Sequence, residues 1–292
     1  MTEEQWIEMR KGGVGASDVA TVCNYNPFSS PYELWAKKTD KLPDDWVENE
    51  RQRWGQILEP AIADEYAERS GHQIIDHGRF ATHKHPELSV LYATVDREIV
   101  APRGPGSLEC KNTREYFESE WATGGPMMYR LQLQAQLEVM GWDWGALAVL
   151  IGGGQFMSIE MERDRELGEM MLEEVGVFWE HVQSDTPPPV DGSVATMAIL
   201  KKLHPQDSGE TIVLSSDVEA LCDQRAALAK QMTAAKKEKA ALENVIFEAI
   251  GDATWGELSD GTRMQWRVES RKGHIVEPSE PRVLRRVKGG KK

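Results

Sequence analysis

The chain is poor in cysteine, short of basic residues and without any long apolar run, and each shortage removes a class of protein. Its three cysteines, Cys23, Cys110 and Cys222, lie far apart among 292 residues, with no CxxC pair. That spacing excludes a disulfide scaffold, a cysteine-rich zinc site and a four-cysteine iron–sulfur cluster. Seven histidines show no HExxH or other ligand spacing, which sets a zinc hydrolase aside. No stretch of eighteen apolar residues occurs, and Met1 to Gly15 has no signal-peptide pattern. The expectation is therefore a soluble, cytoplasmic protein with no membrane partner. Lysine and arginine number 34 against 48 aspartate and glutamate, a net charge of −14. A deficit of that size argues at first sight against nucleic acid. The charge is uneven, however: residues 225–292 hold 15 basic and 9 acidic side chains, so the acidity lies in the first 224. An acidic body still binds DNA where basic groups line one channel, because local potential governs encounter more than net charge does.

What is present centres on Leu91 to Lys111, LYATVDREIVAPRGPGSLECK. Two β-type runs, Leu91 to Val100 and Ser107 to Thr113, flank Gly104, Pro105 and Gly106, a pattern that predicts an antiparallel hairpin. Alternation along the second strand puts Glu109 and Lys111 on one face and Cys110 on the other. With Asp96 they form an acidic pair beside an ammonium group. Hard carboxylate oxygens hold Mg²⁺, the ion polarises a phosphoryl oxygen and acidifies its water, and the lysine steadies developing negative charge. The [DE]-x-K spacing occurs once in the chain. Taken alone, the same three residues read equally well as a solvated strand face of alternating charge.

Upstream, Gly12, Gly13 and Gly15 lead into Ala16, Ser17 and Asp18, where an apolar helical pattern begins; Ser17 or Asp18 is the expected N-cap. Such a turn presents free backbone N–H groups and a partial positive charge, both of which suit a phosphate, although most such starts are only caps. Arg10 is a second anion-binding candidate. Ser30-Pro31-Tyr32-Glu33 is a capping box opening the next helix. Helical periodicity then runs from Trp46 to Gly71 and includes Glu59, which precedes Pro60 and reads by itself as a solvated helix glutamate. The stretch Gln73 to Thr82 is β-type. A helix from Pro126 to Trp142 carries Gln132, Gln134 and Gln136, Ala146 to Ile151 and Phe156 to Met161 are expected strands, and Arg163 to Gln183 is a long amphipathic helix.

The ordered set Trp6, Arg10, GVGASDV, NPFSSPYELW, WGQILEP, ATVDREI, LECK and QLQ resembles the YqaJ-like viral recombinase family, relatives of phage lambda exonuclease among the PD-(D/E)xK nucleases. The resemblance covers about the first 185 residues. It implies an α/β fold with a central mixed sheet flanked by helices. The implied reaction is Mg²⁺-dependent 5′ to 3′ degradation of one strand of linear duplex DNA, with Mn²⁺ able to substitute and two ions in the site. The 3′ overhang left behind would serve a single-strand annealing protein, and relatives form rings of three. Carried over residue by residue, Asp96, Glu109 and the backbone carbonyl of Cys110 would bind metal, Lys111 would be the catalytic lysine, and Glu59 would complete the acidic cluster. Arg10 and Ser17 would hold a terminal 5′ phosphate. Gln132 would lie near the scissile bond, with Gln134 as the second glutamine of the QxQ motif on the DNA. Related nucleases place a tyrosine where this chain has Gln136, which is left outside the expected site. Two other activities share the same core: a nicking or site-specific endonuclease, and an inactive DNA-end-binding protein.

The expected domain organisation is a nuclease domain at 1–185, a linker at 186–214 containing the stiff TPPP run, and an extension at 215–292. Ser215 to Ile250 is rich in Ala, Leu, Lys and Glu with near-heptad apolar spacing, which predicts a long helix or a helical hairpin. Trp255 to Glu269 reads as a β-hairpin turning at Asp260-Gly261. The basic end, VLRRVKGGKK, reads as a solubilising tail, a DNA-tracking extension or a docking surface for an annealing protein.

Overall fold

A computed structural model of the chain describes residues 2–42, 50–115 and 118–270. They fall into two compact units, Met1–Pro205 and Gln206–Lys292. The first unit opens with α1 (Glu3–Lys11), β1 (Val14–Gly15), α2 (Ala16–Val22), α3 (Pro31–Lys38) and α4 (Glu50–Ser70). Then come β2 (Gln73–Ile75), β3 (Thr82–Lys84), β4 (Leu91–Thr94), β5 (Arg97–Ala101) and β6 (Gly104–Thr113). It closes with α5 (Glu118–Ala122), α6 (Met127–Met140), β7 (Trp144–Ile151), β8 (Gln155–Glu162), α7 (Arg165–Gln183) and α8 (Val194–Leu203).

Five strands form a mixed sheet in the order β2-β5-β6-β7-β8, with β6 and β7 parallel and the other neighbours antiparallel. The parallel pair needs a crossover, which α5 and α6 supply. Both faces of the sheet are covered, so β7 is the almost unbroken apolar run Trp144-Gly-Ala-Leu-Ala-Val-Leu-Ile151, whereas β8 at the edge alternates. On one face Ile62, Ala63 and Tyr66 of α4 pack against Ile99, Leu108, Cys110 and Ala148. On the other, Leu133 of α6 meets Leu147, Val149 and Ile151. Burying a side chain such as Leu147 or Ile99 completely stabilises the fold by about 1.5–3 kcal/mol, so these runs fix the sheet in place. A third cluster joins α2, α3, α6, α7 and α8 to the small sheet β1-β4-β3 through Val14, Val19, Trp35, Leu91 and Phe178.

Several boundaries differ from the sequence reading, each for a local reason. The single β-type run from Leu91 to Val100 is two strands in two sheets: β4 pairs with β1 and β3, while β5 pairs with β2 and β6. The chain changes sheet at Val95 and Asp96. Likewise Gln73 to Thr82 splits into β2 and the start of β3. The hairpin turns at Pro102-Arg103, with Ala101 opposite Gly104, so Gly104 opens β6 instead of sitting in the turn; its φ of 107° shows why glycine stands there. The N-cap of α2 is Gly15, whose N–H is taken by the side chain of Asp18 at 3.3 Å. Gly13 is needed for close approach, since a Cβ there would meet the Val90 carbonyl at 2.5 Å. The expected helix start at Trp46 lies outside the described residues, as does the basic end of the chain. Helix α4 continues through Pro60.

The expected linker 186–214 is also partly folded. Helix α8 lies within it, capped by Ser193, and its Ile199 is 4% exposed against α3 and α7, so the first unit runs on past residue 185. In the second unit, Ser216 to Ile250 form one uninterrupted 35-residue helix, α9, capped by Ser215 and about 52 Å long at 1.5 Å per residue. None of its residues is buried. Strands β9 (Trp255–Glu257) and β10 (Arg263–Gln265) pair antiparallel as expected, with Asp260 accepting from the N–H of Thr262 at 2.9 Å and Phe247 of α9 stacked on Trp266. Among the described residues no helix is long and apolar enough to cross a membrane.

Candidate active site

The change of sheet at Asp96 builds the site. Strand β5 begins at Arg97 opposite Leu108, so beyond Leu108 the same edge of β6 has no strand partner. The side chain of Asp96 takes that place: its Oδ2 accepts from the N–H of Cys110 at 2.8 Å. Along a strand the N–H and C=O of one residue point to the same edge. The carbonyl of Cys110 therefore faces the edge occupied by Asp96, while its thiol packs with α4, where burial holds it well above the usual thiol range.

Glu109, 2% exposed, lies on the opposite face of β6 from the thiol and is gripped by α6. Its Oε1 accepts from Lys111 Nζ and from Gln132 Nε2 at 2.6 Å; its Oε2 accepts from Gln136 Nε2 at 2.5 Å. Gln136 also donates to the Thr94 carbonyl at 3.3 Å and accepts from the Ser107 hydroxyl at 2.7 Å. One amide thus ties β4, β6 and the acidic site together. Glu59 reaches the site from α4 through Arg97, whose Nη1 donates to Glu59 Oε1 at 2.8 Å and to the Asp96 carbonyl. The other end of that guanidinium pairs with Asp76 at 3.3 Å.

These contacts decide the charges. Burial pushes the Asp96 carboxyl well above the ordinary carboxylate range, the negative charges of Glu109 and Glu59 push the same way, and Lys111 and the Cys110 N–H oppose them. At Lys111 burial acts to lower the pKa, but Glu109 and Asp96 outweigh it and the pKa is raised, so the ammonium keeps its proton. Two close carboxylates that repel each other are the arrangement a divalent cation relieves. The donor set fits Mg²⁺: hard oxygens from Asp96, Glu109 and the Cys110 carbonyl. It is two side chains and a backbone group, and among the described residues no three His, Cys, Asp or Glu side chains converge on one point. An open cleft of about 530 Å³, which none of these site residues lines, is bounded by Trp54 and Leu58 of α4 and by Asn112, Thr113 and Arg114 at the end of β6.

Glu59, Asp96, Glu109, Cys110, Lys111 and Gln132 are therefore brought together. Gln134 is not among them. Residues two apart on a helix point about 200° apart, so Gln134 faces away from Glu109; it is 2% exposed, donates to the Glu162 carbonyl at 2.7 Å and accepts from the Asp164 N–H at 2.9 Å. Its role is to pin β8 and the start of α7, which corrects its expected place on DNA. Two members of the site were missed from sequence. Gln136 follows Gln132 by four residues, one helical turn, and that spacing was the available signal. Arg97 carried no signal, because its importance depends on Glu59, 38 positions away.

A second polar cluster surrounds the Gly12–Ser17 turn. Ser17 is exposed at the start of α2, and the guanidinium of Arg10 lies over the Trp6 ring, 4.8 Å from its centroid. Burial raises the Tyr92 phenol, with Asp18 raising it further and Arg10 opposing. Lys38 of α3 donates to the Arg10 carbonyl at 2.5 Å and pairs with Asp18 Oδ2 at 3.3 Å.

The first unit has a mixed α/β core whose fold is shared by the crystal structure of an alkaline exonuclease from Laribacter hongkongensis, with a TM-score of 0.50 at 22% identity over 69% of this chain and 98% of that one. The family follows from sequence. A model described as the YqaJ-like viral recombinase domain matches residues 5–143, which include Arg10, Ser17, Glu59, Asp96, Glu109, Lys111 and Gln132. The uncharacterized protein YqaJ of Bacillus subtilis (strain 168) is 33% identical over 261 residues, spanning 88% of this chain and 81% of that protein. The chain belongs to the YqaJ-like viral recombinase family.

Proposed function

We propose that the chain is a Mg²⁺-dependent deoxyribonuclease that degrades the 5′-ended strand of linear duplex DNA and leaves a 3′ overhang for a single-strand annealing protein. The observation that carries this reading is the assembly of Asp96, Glu109 and Lys111 at the edge of β6 where β5 stops, in a chain of this family. Mg²⁺, or Mn²⁺ in its place, would be held by Asp96, Glu109 and the Cys110 carbonyl, and when bound would polarise the phosphoryl group and acidify its water. Lys111, whose ammonium is favoured by Glu109 and Asp96, would stabilise negative charge on the phosphate oxygens. Gln132 and Gln136 orient Glu109, and Arg97 holds Glu59 against the backbone of Asp96. At the other cluster, Arg10 and Ser17 receive the terminal 5′ phosphate, a dianion suited to a guanidinium and a hydroxyl. Polarity then follows from the position of that contact, with no base read.

The test is digestion of linear duplex labelled at either the 5′ or the 3′ end, with Mg²⁺ or with EDTA, beside covalently closed circles. Early release of the 5′ label from linear DNA, circles left intact and no reaction in EDTA are expected. Early release of the 3′ label would refute the polarity, and circles cut as fast as linear DNA would replace this reading with an endonuclease.

A further inference from the structure

Lys38 has no place in the reaction just described, yet it is among the most enclosed charged groups in the chain. Its side chain is 8% exposed. A lysine is rarely buried this far unless its ammonium is partnered, and here it has two partners on opposite sides of one short segment. One is the carbonyl of Arg10, near the C-terminal end of α1, where helix carbonyls have no intrahelical donor and a cation is favoured. The other is the carboxylate of Asp18, in the first turn of α2, which also accepts the Gly15 N–H. Everything between those two contacts is the Gly12–Ser17 turn.

We propose that Lys38 is a positioning residue for end recognition: it fixes the turn at both ends and cancels the charge of Asp18 beside an incoming 5′ phosphate. This rests on the reading that Arg10 and Ser17 receive that phosphate. Asp18 is the difficulty in that reading, because a carboxylate adjoining Ser17 would repel a dianion. It cannot simply be dispensed with, since it caps Gly15. A lysine held against it from α3 resolves the conflict, and Arg10, which has no ion pair among the described residues, is left to meet the phosphate. The burial that acts to lower the pKa of Lys38 is opposed by Asp18, and Arg10 and Lys37 add to the lowering. Asp18 is the strongest charge acting on Lys38, and Arg10, the next strongest, brings a second cation to the same turn.

The experiment measures, for the full chain, the ratio of degradation rates on linear duplex with a 5′ phosphate and with a 5′ hydroxyl. Lys38→Met is expected to reduce that ratio about tenfold, the loss of one charge-assisted contact, and Lys38→Met combined with Asp18→Asn is expected to recover most of it. A purely structural lysine would not be rescued by removing its partner's charge. Asp18→Asn alone keeps Lys38 and is expected to raise the ratio, so it decides the matter should Lys38→Met fail to fold. A ratio unchanged in Lys38→Met, no recovery in the double variant, or no rise in Asp18→Asn would overturn the role of Lys38. A ratio of one in the unsubstituted protein would instead remove the phosphate reading itself.

Discussion

Lys111 and Lys38 are both enclosed lysines paired with a carboxylate, yet their protons are held in opposite ways. Burial acts to strip the proton from each. At Lys111 the charges of Glu109 and Asp96 outweigh burial and the pKa rises; at Lys38 burial outweighs the single carboxylate Asp18, which Arg10 in turn opposes, and the pKa falls. The residue type is the same, and the number of carboxylates set against burial decides. Around Lys111 stand Glu109 and Asp96, negative charge that a metal ion would complete. Beside Lys38 stand Asp18, whose charge it neutralises, and Arg10, the cation left to an anion. Two pockets of different character, on different elements of one unit, match the two ends of the proposed reaction, a bond to be cut over metal and a terminal phosphate to be held.

The strongest test of that division is to damage each pocket separately. Glu109→Ala removes an oxygen donor that three side chains converge on, and the rate on linear duplex should fall at least about 10³-fold while DNA binding, measured by anisotropy, persists. Arg10→Ala should leave hydrolysis of 5′-hydroxyl ends in place and shrink the advantage of a 5′ phosphate about tenfold, with Arg10→Lys restoring only part because an ammonium lacks the bidentate fork. If Arg10→Ala stopped hydrolysis on both ends alike, the two pockets would be one.

Within the acidic pocket the two glutamines sharpen the picture. Gln132 touches Glu109 from a partly exposed position, whereas Gln136 is fully buried and has three partners. Gln132→Ala should lower the rate about tenfold with a melting temperature close to that of the parent, since it loosens one ligand. Gln136→Leu leaves the Ser107 hydroxyl and Thr94 carbonyl without their partner and should cost about 1–3 kcal/mol of stability as well as activity. Thermal melts and rates on the same preparations separate the two outcomes.

That pair also shows how far the sequence could be read. Residues whose roles follow from local spacing were legible: Glu109 and Lys111 share one strand face, Ser30 caps α3, and the Asp260-Gly261 turn closes the last hairpin; the Glu33 half of the expected capping box does not form, because its carboxylate takes the Ser29 hydroxyl and Lys37 instead. What escaped depends on contacts distant in sequence. LYATVDREIV reads as one continuous β-type run, so nothing in it announces that β4 and β5 belong to different sheets, and that hand-off is what frees Asp96 to bind the Cys110 N–H. The QxQ motif suggested that Gln132 and Gln134 act together, but helical geometry pairs Gln132 with Gln136. Lys38 carries no signal in the sequence, and only the fold brings it between Arg10 and Asp18.

A smaller effect concerns where the chain can be shortened. Both lysine pockets lie in the first unit, so a chain ending at residue 205 should keep both activities. Ending at residue 185 removes α8, whose Ile199 packs with α3, the helix that carries Lys38. Loss of that buried side chain costs about 2 kcal/mol. The preference for a 5′ phosphate should weaken before hydrolysis does, because the acidic pocket is held by α4, α6 and the sheet. Equal loss of both in the shorter chain would show that α8 supports the whole unit and not the Lys38 side of it.

The smallest effect lies in the acidic pocket alone and is read as stability without metal. The Asp96 carboxyl is raised well above the ordinary range by burial and by Glu109, opposed by Lys111. A group with a raised pKa binds its proton more tightly folded than unfolded. Its contribution to stability is therefore complete below the unfolded carboxylate value, about 3.9, and is lost as pH rises through the raised value. In EDTA the parent protein should lose stability over that window. Asp96→Asn cannot ionise, and its amide oxygen can still accept the Cys110 N–H, so the loss should vanish. At neutral pH in EDTA the variant should then melt a few degrees higher than the parent, at about 2–4 °C per kcal/mol for a unit of this size, although it is inactive. Adding Mg²⁺ should raise the melting temperature of the parent and leave the variant nearly unmoved, since a cation relieves the repulsion that the substitution has already removed. The same titration on Lys38→Met should keep the Mg²⁺ response of the parent, because that pocket holds no carboxylate pair for a cation to relieve. An Asp96→Asn protein that melts below the parent at neutral pH without metal would mean that Asp96 is stabilising as a carboxylate, and that the acidic pocket is held by its lysine and arginine partners instead of waiting for a metal ion.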